Sequence, residues 1–290
     1  MIYKLAVIYS WLYGFFKDHF GIHIRGLGFI LRRVTKDTVL VVHGKKLYFD
    51  HVMAEAYAMP LIGKWNEPET HNFIKLIQNS MRINFVEVGA NIGEFLVDIA
   101  SNANCISALA FEPNPLACTV IKQNLDLNKL QNVIVLEKAL AQQAGKVPMF
   151  FGAHSPTSSL LSIESKAGHG VEVVVSTLDT ELFESNLDKN IPLVLLIDVE
   201  GYELNVVKGG GVVIAQYKPL VIFEFHKQTK LSFGINEMRH QLGPNYSIFR
   251  LRQDAFLDND VENAWNCVAI PLGTEFEKML KPRIIQAPTH

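Results

Sequence analysis

Phe85-Val86-Glu87-Val88-Gly89-Ala90-Asn91-Ile92-Gly93 runs an apolar strand into an acid, then a glycine turn, then the start of a helix. That order builds a nucleotide-type pocket at the carboxyl end of the first strand of an α/β sheet. A dinucleotide fingerprint carries G-x-G-x-x-G, so that a pyrophosphate can approach the helix N-terminus. Asn91 replaces the middle glycine, and Glu87 stands two residues before the first. A carboxylate there repels a pyrophosphate but pairs with an ammonium group. S-adenosylmethionine carries an ammonium and a sulfonium and no phosphate, so these residues favour it over a nicotinamide dinucleotide.

A second motif follows. Ala108-Leu109-Ala110-Phe111-Glu112-Pro113-Asn114 is another apolar strand ending in an acid, and Glu112 lies 23 residues beyond Gly89. An acid about 20 residues past the glycine turn accepts hydrogen bonds from ribose hydroxyls in such folds. Pro113 has no N–H for a ladder and ends the strand. Asn114 suits the cap of the next helix.

Strands and helices alternate from there. Strands are expected at Ile83–Val88, Ile106–Phe111, Val133–Glu137, Leu193–Asp198 and Leu220–Phe225, with Tyr246–Leu251 and Trp265–Ile270 closing the chain. Helices are expected over Glu94–Asn102 and Leu116–Leu127, and from the strand ending at Asp198 to Gly209-Gly210-Gly211. Uninterrupted apolar strands between helices mean a parallel sheet covered on both faces. Val147–Phe151 and Val171–Ser176 flank a polar loop, 152–170, that holds His154 and His169. Ahead of the sheet, Val39–Val42 and Lys46–Phe49 form a hairpin pattern around His43-Gly44-Lys45. Glu67-Pro68-Glu69 opens an amphipathic helix. The expected division is a helical and hairpin cap over 1–80, a main domain over 81–275 and a tail over 276–290.

Composition narrows the partners. The 290 residues are about half apolar with a net charge of −2. Basic runs stop at Arg32-Arg33 and Lys45-Lys46, so no phosphate-tracking nucleic-acid surface is indicated. No N-P-P-Y base-flipping motif occurs. Cys105, Cys118 and Cys267 lack metal-type spacing, and an odd, sparse count suits a reducing cytosol. The opening MIYKLAVIYSWLYGFF is too short to span a bilayer. No small-residue cleavage pattern follows it, as a signal peptide would require. It reads as a helix packed on the body or in a homodimer interface, with a helix lying on a membrane surface as the alternative.

In open parallel sheets the ligand sits beyond the carboxyl ends of the strands. Those ends carry Glu87, Glu112, Glu137 or Lys138, Asp198 and Glu224-Phe225-His226. Burying so many carboxylates without a purpose is costly. Ile197-Asp198-Val199-Glu200-Gly201-Tyr202-Glu203 then makes the comparison specific. With EVGANIG, FEPNP, Ser158-Ser159-Leu160 and Thr177-Leu178-Asp179 in order, it resembles the FkbM family of S-adenosylmethionine-dependent methyltransferases over about residues 65–225. The resemblance implies a class I methyltransferase (Rossmann-like) fold: a mostly parallel seven-stranded sheet with helices on both faces and one antiparallel edge strand. It also implies methylation of hydroxyl oxygens on natural products or saccharides.

Carried over by position, Glu87, Gly89, Ala90, Asn91 and Gly93 would line the methionine part of the cofactor. Glu112 would bind the ribose. Pro113, Asn114, Ala139 and Leu140 would border the adenine. Asp198 would lie beside the methyl group. Asparagine tolerates a left-handed backbone, so Asn91 keeps the turn feasible. A sugar hydroxyl needs a base or a metal to remove its proton, and His226 is the first candidate base. Glu200 is a further catalytic candidate, although acids at this helix start also complement its dipole. A divalent cation on Asp198, Glu224 and His226 is the alternative, with oxygen-rich ligation suiting magnesium or manganese. Two rival readings are a non-catalytic module using the same fold and a nicotinamide-dependent oxidoreductase. Glu87 and the missing glycine oppose the second.

Overall fold

The computed structural model describes residues 38–50, 52–149, 171–185 and 187–285. The apolar N-terminal segment, the Ser158-Ser159-Leu160 loop, His154 and His169 lie outside those residues. The hairpin forms as β1 (Val39–Val42) and β2 (Lys45–Tyr48). Its turn is one residue tighter than expected. His43 and Gly44 both take positive φ, at 46° and 81°, as a two-residue turn between twisted strands requires. Pro68 opens α1 (Pro68–Gln78), where a missing N–H costs nothing.

The sheet elements follow closely what the sequence predicts. They are β3 (Ile83–Val88), α2 (Glu94–Ala100), β4 (Cys105–Phe111), α3 (Pro115–Leu127) and β5 (Val133–Leu136). Next come β6 (Ala139–Leu140), β7 (Gly145–Met149), β8 (Val171–Ser176), α4 (Leu178–Glu184) and β9 (Leu193–Ile197). The chain continues through α5 (Glu203–Lys208), α6 (Gly211–Tyr217), β10 (Leu220–Glu224), α7 (Ile235–Leu242) and β11 (Tyr246–Leu251). It closes with β12 (Leu257–Asp258), β13 (Asn266–Pro271) and α8 (Glu275–Leu280).

The main sheet runs β12-β11-β13-β10-β9-β3-β4-β5. Strands β10, β9, β3, β4 and β5 are mutually parallel, and β13 is antiparallel to both β10 and β11. This is the class I methyltransferase sheet, with two corrections. Two-residue β12 adds an eighth strand at the rim. The longer antiparallel strand, β13, is internal, and every one of its residues is buried, as a strand paired on both sides must be; the edge strand β12 is also antiparallel to its neighbour. The helix after β9, α5, ends at the three glycines as expected, and α6 starts afresh at Gly211. A Cβ on Gly209 would stand 2.1 Å from the Ala141 carbonyl oxygen, so the backbone passes there only as glycine. Strands β6, β8 and β7 form a separate small sheet.

Alternate residues of the central strands feed two cores, one on each face. Val86, Val88, Leu109, Phe111, Leu195, Ile197, Val221 and Phe223 share one. Phe85, Ala108, Ala110, Val194, Leu196, Leu220 and Ile222 share the other. The three cysteines are free and buried, as core residues should be. The hairpin is pinned to the body by two asparagines of α3 and its end. The Lys46 N–H donates to Asn128 Oδ1 at 2.9 Å and the Tyr48 N–H to Asn124 Oδ1 at 2.6 Å. Asn124 Nδ2 in turn donates to the Ile92 carbonyl at 2.7 Å, which joins the hairpin to the glycine turn. At the other end α8 buries Phe276 and Leu280 in the core. The expected boundary between 275 and 276 therefore falls within its first turn. Among the described residues no helix is long and apolar enough to cross a membrane.

Candidate functional site

A cleft opens at the carboxyl ends of β3 and β4. Gly89, Pro113, Ala139 and Leu140 line it, four of the residues expected to hold a cofactor. Met149, Val199, Tyr202 and Lys138 line it as well. The sequence offered Lys138 as a strand-end residue and gave the other three no binding role. Val199 and Tyr202 lay within a quoted motif, whereas Met149 sits on a short strand with no signal.

The glycine turn is built for close approach. Gly89 has φ +91°, and a Cβ on it would lie 1.8 Å from the Asp198 carbonyl oxygen. Asn91 takes φ +49°, the left-handed turn anticipated for it. Its N–H donates to Glu112 Oε2 at 2.8 Å, and the Asn114 N–H donates to Glu112 Oε1 at 2.8 Å. Glu112 is thus a brace between two loops as well as a strand-end acid. Each oxygen keeps a further lone pair. Asn114 spends its side chain capping α3, accepting from the Leu116 N–H at 3.0 Å. Gly93 starts α2 at φ +75°, and a Cβ there would press on Ile121 at 3.2 Å. Ala90 is buried in the core. Asn114, Gly93 and Ala90 are accounted for by local structure rather than by a wall of the cleft.

Around this turn the electrostatics are lopsided. Burial, then the charges of Asp198, Glu94 and Glu112, drives the Glu87 carboxyl well above the usual carboxylate range. Its Oε2 is buried with no hydrogen-bond donor. Burial pushes Glu112 up to about 7 against the two amides that pull it down. Asp198 is raised strongly by burial and by the charges of Glu67, Glu200 and Glu203. Carboxyls crowded this way relax when a cation joins them. An ammonium or sulfonium group supplies that charge, so the residues fit S-adenosylmethionine.

A second knot of acids adjoins the first. Asp198 lies beside Glu224. Burial, with Asp198, Glu200, Glu203 and Glu67 around it, pushes Glu224 up to about 11. Glu67 comes from the turn before α1, and Asn266 Nδ2 donates to its Oε2 at 2.6 Å. Its reach into this group was not legible, because the sequence offered it only as a helix start. Glu203 is held differently: its Oε1 accepts from the Val199 and Gly201 N–H groups, both at 3.1 Å. It fastens the loop in which Glu200 takes φ +55° and Gly201 φ +101°.

His226 is placed near the acids but not as the free base expected of it. Its Nδ1 accepts from the N–H groups of Gln228 at 3.1 Å and Thr229 at 3.2 Å. The neutral ring therefore carries its proton on Nε2, which lies 3.1 Å from Glu224 Oε1 and donates to it. With one nitrogen occupied and the other protonated, the ring orients Glu224. The same tautomer removes His226 from the expected ligand set of Asp198, Glu224 and His226. The three residues whose ligand atoms converge, all within 4.8 Å, are Glu200, Glu224 and His226.

The methyltransferase FkbM domain matches residues 87–247, more than half of the chain. Methyltransferase 1 of Beauveria bassiana is 28% identical over an alignment covering 43% of this chain and 57% of that protein. Methyltransferase sdnD of Sordaria araneosa is 31% identical, with 43% and 59% covered. The chain thus spans a little over half the length of the relatives it matches. Among solved structures, a methyltransferase FkbM from Methylobacillus flagellatus KT aligns with a TM-score of 0.45 at 17% identity, covering 76% of this chain and 52% of that one. M. jannaschii TYW2 in complex with AdoMet aligns with a TM-score of 0.39 at 15% identity, covering 80% and 83%.

Proposed function

This chain belongs to the FkbM methyltransferase family, and from that premise we propose that it transfers a methyl group from S-adenosylmethionine to a hydroxyl oxygen of a saccharide or other hydroxylated metabolite. The observation that carries the reading is the buried, donor-free Oε2 of Glu87 beside the glycine turn, within a ring of acids. A ligand with no donor there leaves that oxygen unpaired and costly, whereas an ammonium group both donates to it and offsets the surrounding acids. S-adenosylmethionine supplies the methyl group on a sulfonium when bound. Glu112, still holding Asn91 and Asn114, accepts from the ribose hydroxyls with its remaining lone pairs. Pro113, Ala139 and Leu140 bracket the adenine.

For the acceptor, alignment with the methyl–sulfur bond and exclusion of water are the main requirements. The hydroxyl proton needs a receiver. His226 is committed to Glu224, so the carboxylates of Asp198 and Glu200 take that role. Burial first raises Glu200 above the usual range, and a raised carboxyl is a stronger base when ionised. Glu203 holds the loop that carries Glu200.

The test is transfer of labelled methyl from S-adenosylmethionine to a panel of p-nitrophenyl glycosides, simple alcohols and amines. The expected result is label on hydroxyl oxygen. With Asp198→Asn the rate should fall about 10²–10⁴-fold with cofactor affinity retained. Label on amines alone, or full activity in Asp198→Asn, would contradict the reading.

A further inference from the structure

Glu200, Glu224 and Asp198 meet with His226 beside them. Among the described residues no lysine or arginine forms an ion pair with any of them. Glu200 and Glu224 each bring a carboxylate oxygen into a group 4.8 Å across. Glu224 is 5% exposed, yet its Oε2 has no hydrogen-bond donor. Its other oxygen is fixed by His226 Nε2–H at 3.1 Å. A histidine that donates to a carboxylate from outside is how proteins orient an anionic metal ligand. We propose that Glu200 and Glu224, with Asp198 beside them, form an all-oxygen site for a hard divalent cation of the magnesium or manganese type, with His226 as a positioning residue.

Magnesium is held by one or two carboxylates and keeps several waters. Two carboxylates at the partly open mouth of this site therefore suffice, and a water position is left for a hydroxyl. The use of the site rests on the O-methyl transfer proposed above; its existence does not. The cation would hold the acceptor hydroxyl and ease loss of its proton to Asp198. The oxygen lone pair then forms the O–C bond as the C–S bond breaks, and the sulfur keeps that bonding pair.

Terbium serves as the probe, because Trp265 sits 4.7 Å from His226, ring to ring, and can sensitise a lanthanide bound there. Tryptophan-excited terbium emission is titrated on the full chain without cofactor. The expected result is one saturable site that magnesium and manganese displace. Affinity should fall at least ~10-fold in Glu200→Gln and in Glu224→Gln, and about 10–100-fold in His226→Ala. Trp265→Phe should lower the emission and leave the affinity unchanged. Glu200 is only half-buried, so Glu200→Gln decides the matter if Glu224→Gln does not fold. No saturable site, no displacement by magnesium or manganese, or an unchanged affinity in Glu200→Gln would overturn the proposal. Calorimetry with S-adenosylmethionine runs alongside. Cofactor binding without a terbium site overturns this inference alone. A terbium site without cofactor binding overturns the proposed function and leaves the cation site standing.

Discussion

Gly89 carries the tightest demand of any single residue. Its φ of +91° and the 1.8 Å approach of the Asp198 carbonyl to a would-be Cβ act together. Gly89→Ala is expected to cost about 1–3 kcal/mol of stability and to abolish cofactor binding. Urea unfolding and calorimetry measure the two, and a stable variant that still binds would contradict the geometry. Glu112 makes a pH prediction. Ribose hydroxyls donate to its ionised form, and burial has moved its proton loss to about 7. Affinity for S-adenosylmethionine should therefore hold above that pH and weaken below it, approaching about tenfold per pH unit. Glu112→Gln should bind weakly at every pH with that dependence gone. Both residues were legible in the sequence as a turn glycine and a strand-end acid. The tethering of both Glu112 oxygens was not, because it depends on the conformations of Asn91 and Asn114. The His226 tautomer was equally hidden, since two backbone N–H groups of the following turn set it.

Among the elements, the central strands were readable because each is an apolar run buried on both faces. The end of α5 at Gly209 was readable as well, but its reason, the close pass of Ala141 on a distant segment, was not. The internal position of β13 was likewise hidden, since strand order is a long-range property. One motif changes meaning at this scale. In Thr177-Leu178-Asp179, Thr177 caps α4 by accepting from the Thr180 N–H at 3.1 Å. Asp179 then accepts from the Val212 and Val213 N–H groups at 3.1 and 2.8 Å, capping α6 from a neighbouring helix. The motif is thus helix-capping chemistry. Asp179→Ala should cost about 0.5–2 kcal/mol in urea unfolding and leave the affinity for S-adenosylmethionine unchanged. A loss of binding at full stability would show instead that the motif reaches the cofactor.

The whole molecule holds its site in a strained charge state. Glu112 and Glu203 are each raised by burial from about 4.5 to about 7, so between those values the folded state binds more protons than the unfolded one. Stability must then fall as pH rises through that window. Without ligand, the thermal midpoint should be higher near pH 5 than near pH 8, and Glu203→Gln should flatten the profile. A midpoint that climbs over the same range would refute this charge assignment. The fold scaffolds the strain from both ends of the chain: Glu67 precedes the family domain and its partner Asn266 follows it. The sequence showed the cap as an appendage, and only the packed structure shows Glu67 reaching the acids. The charge of the bound ligand is the central claim. Calorimetric titration of the full chain with S-adenosylmethionine, S-adenosylhomocysteine and NAD, repeated with Glu87→Gln, tests it most directly. The prediction is binding of the first two, none of NAD, and a weakened S-adenosylmethionine affinity in Glu87→Gln. Binding of NAD, or no binding of either adenosyl ligand, would contradict it.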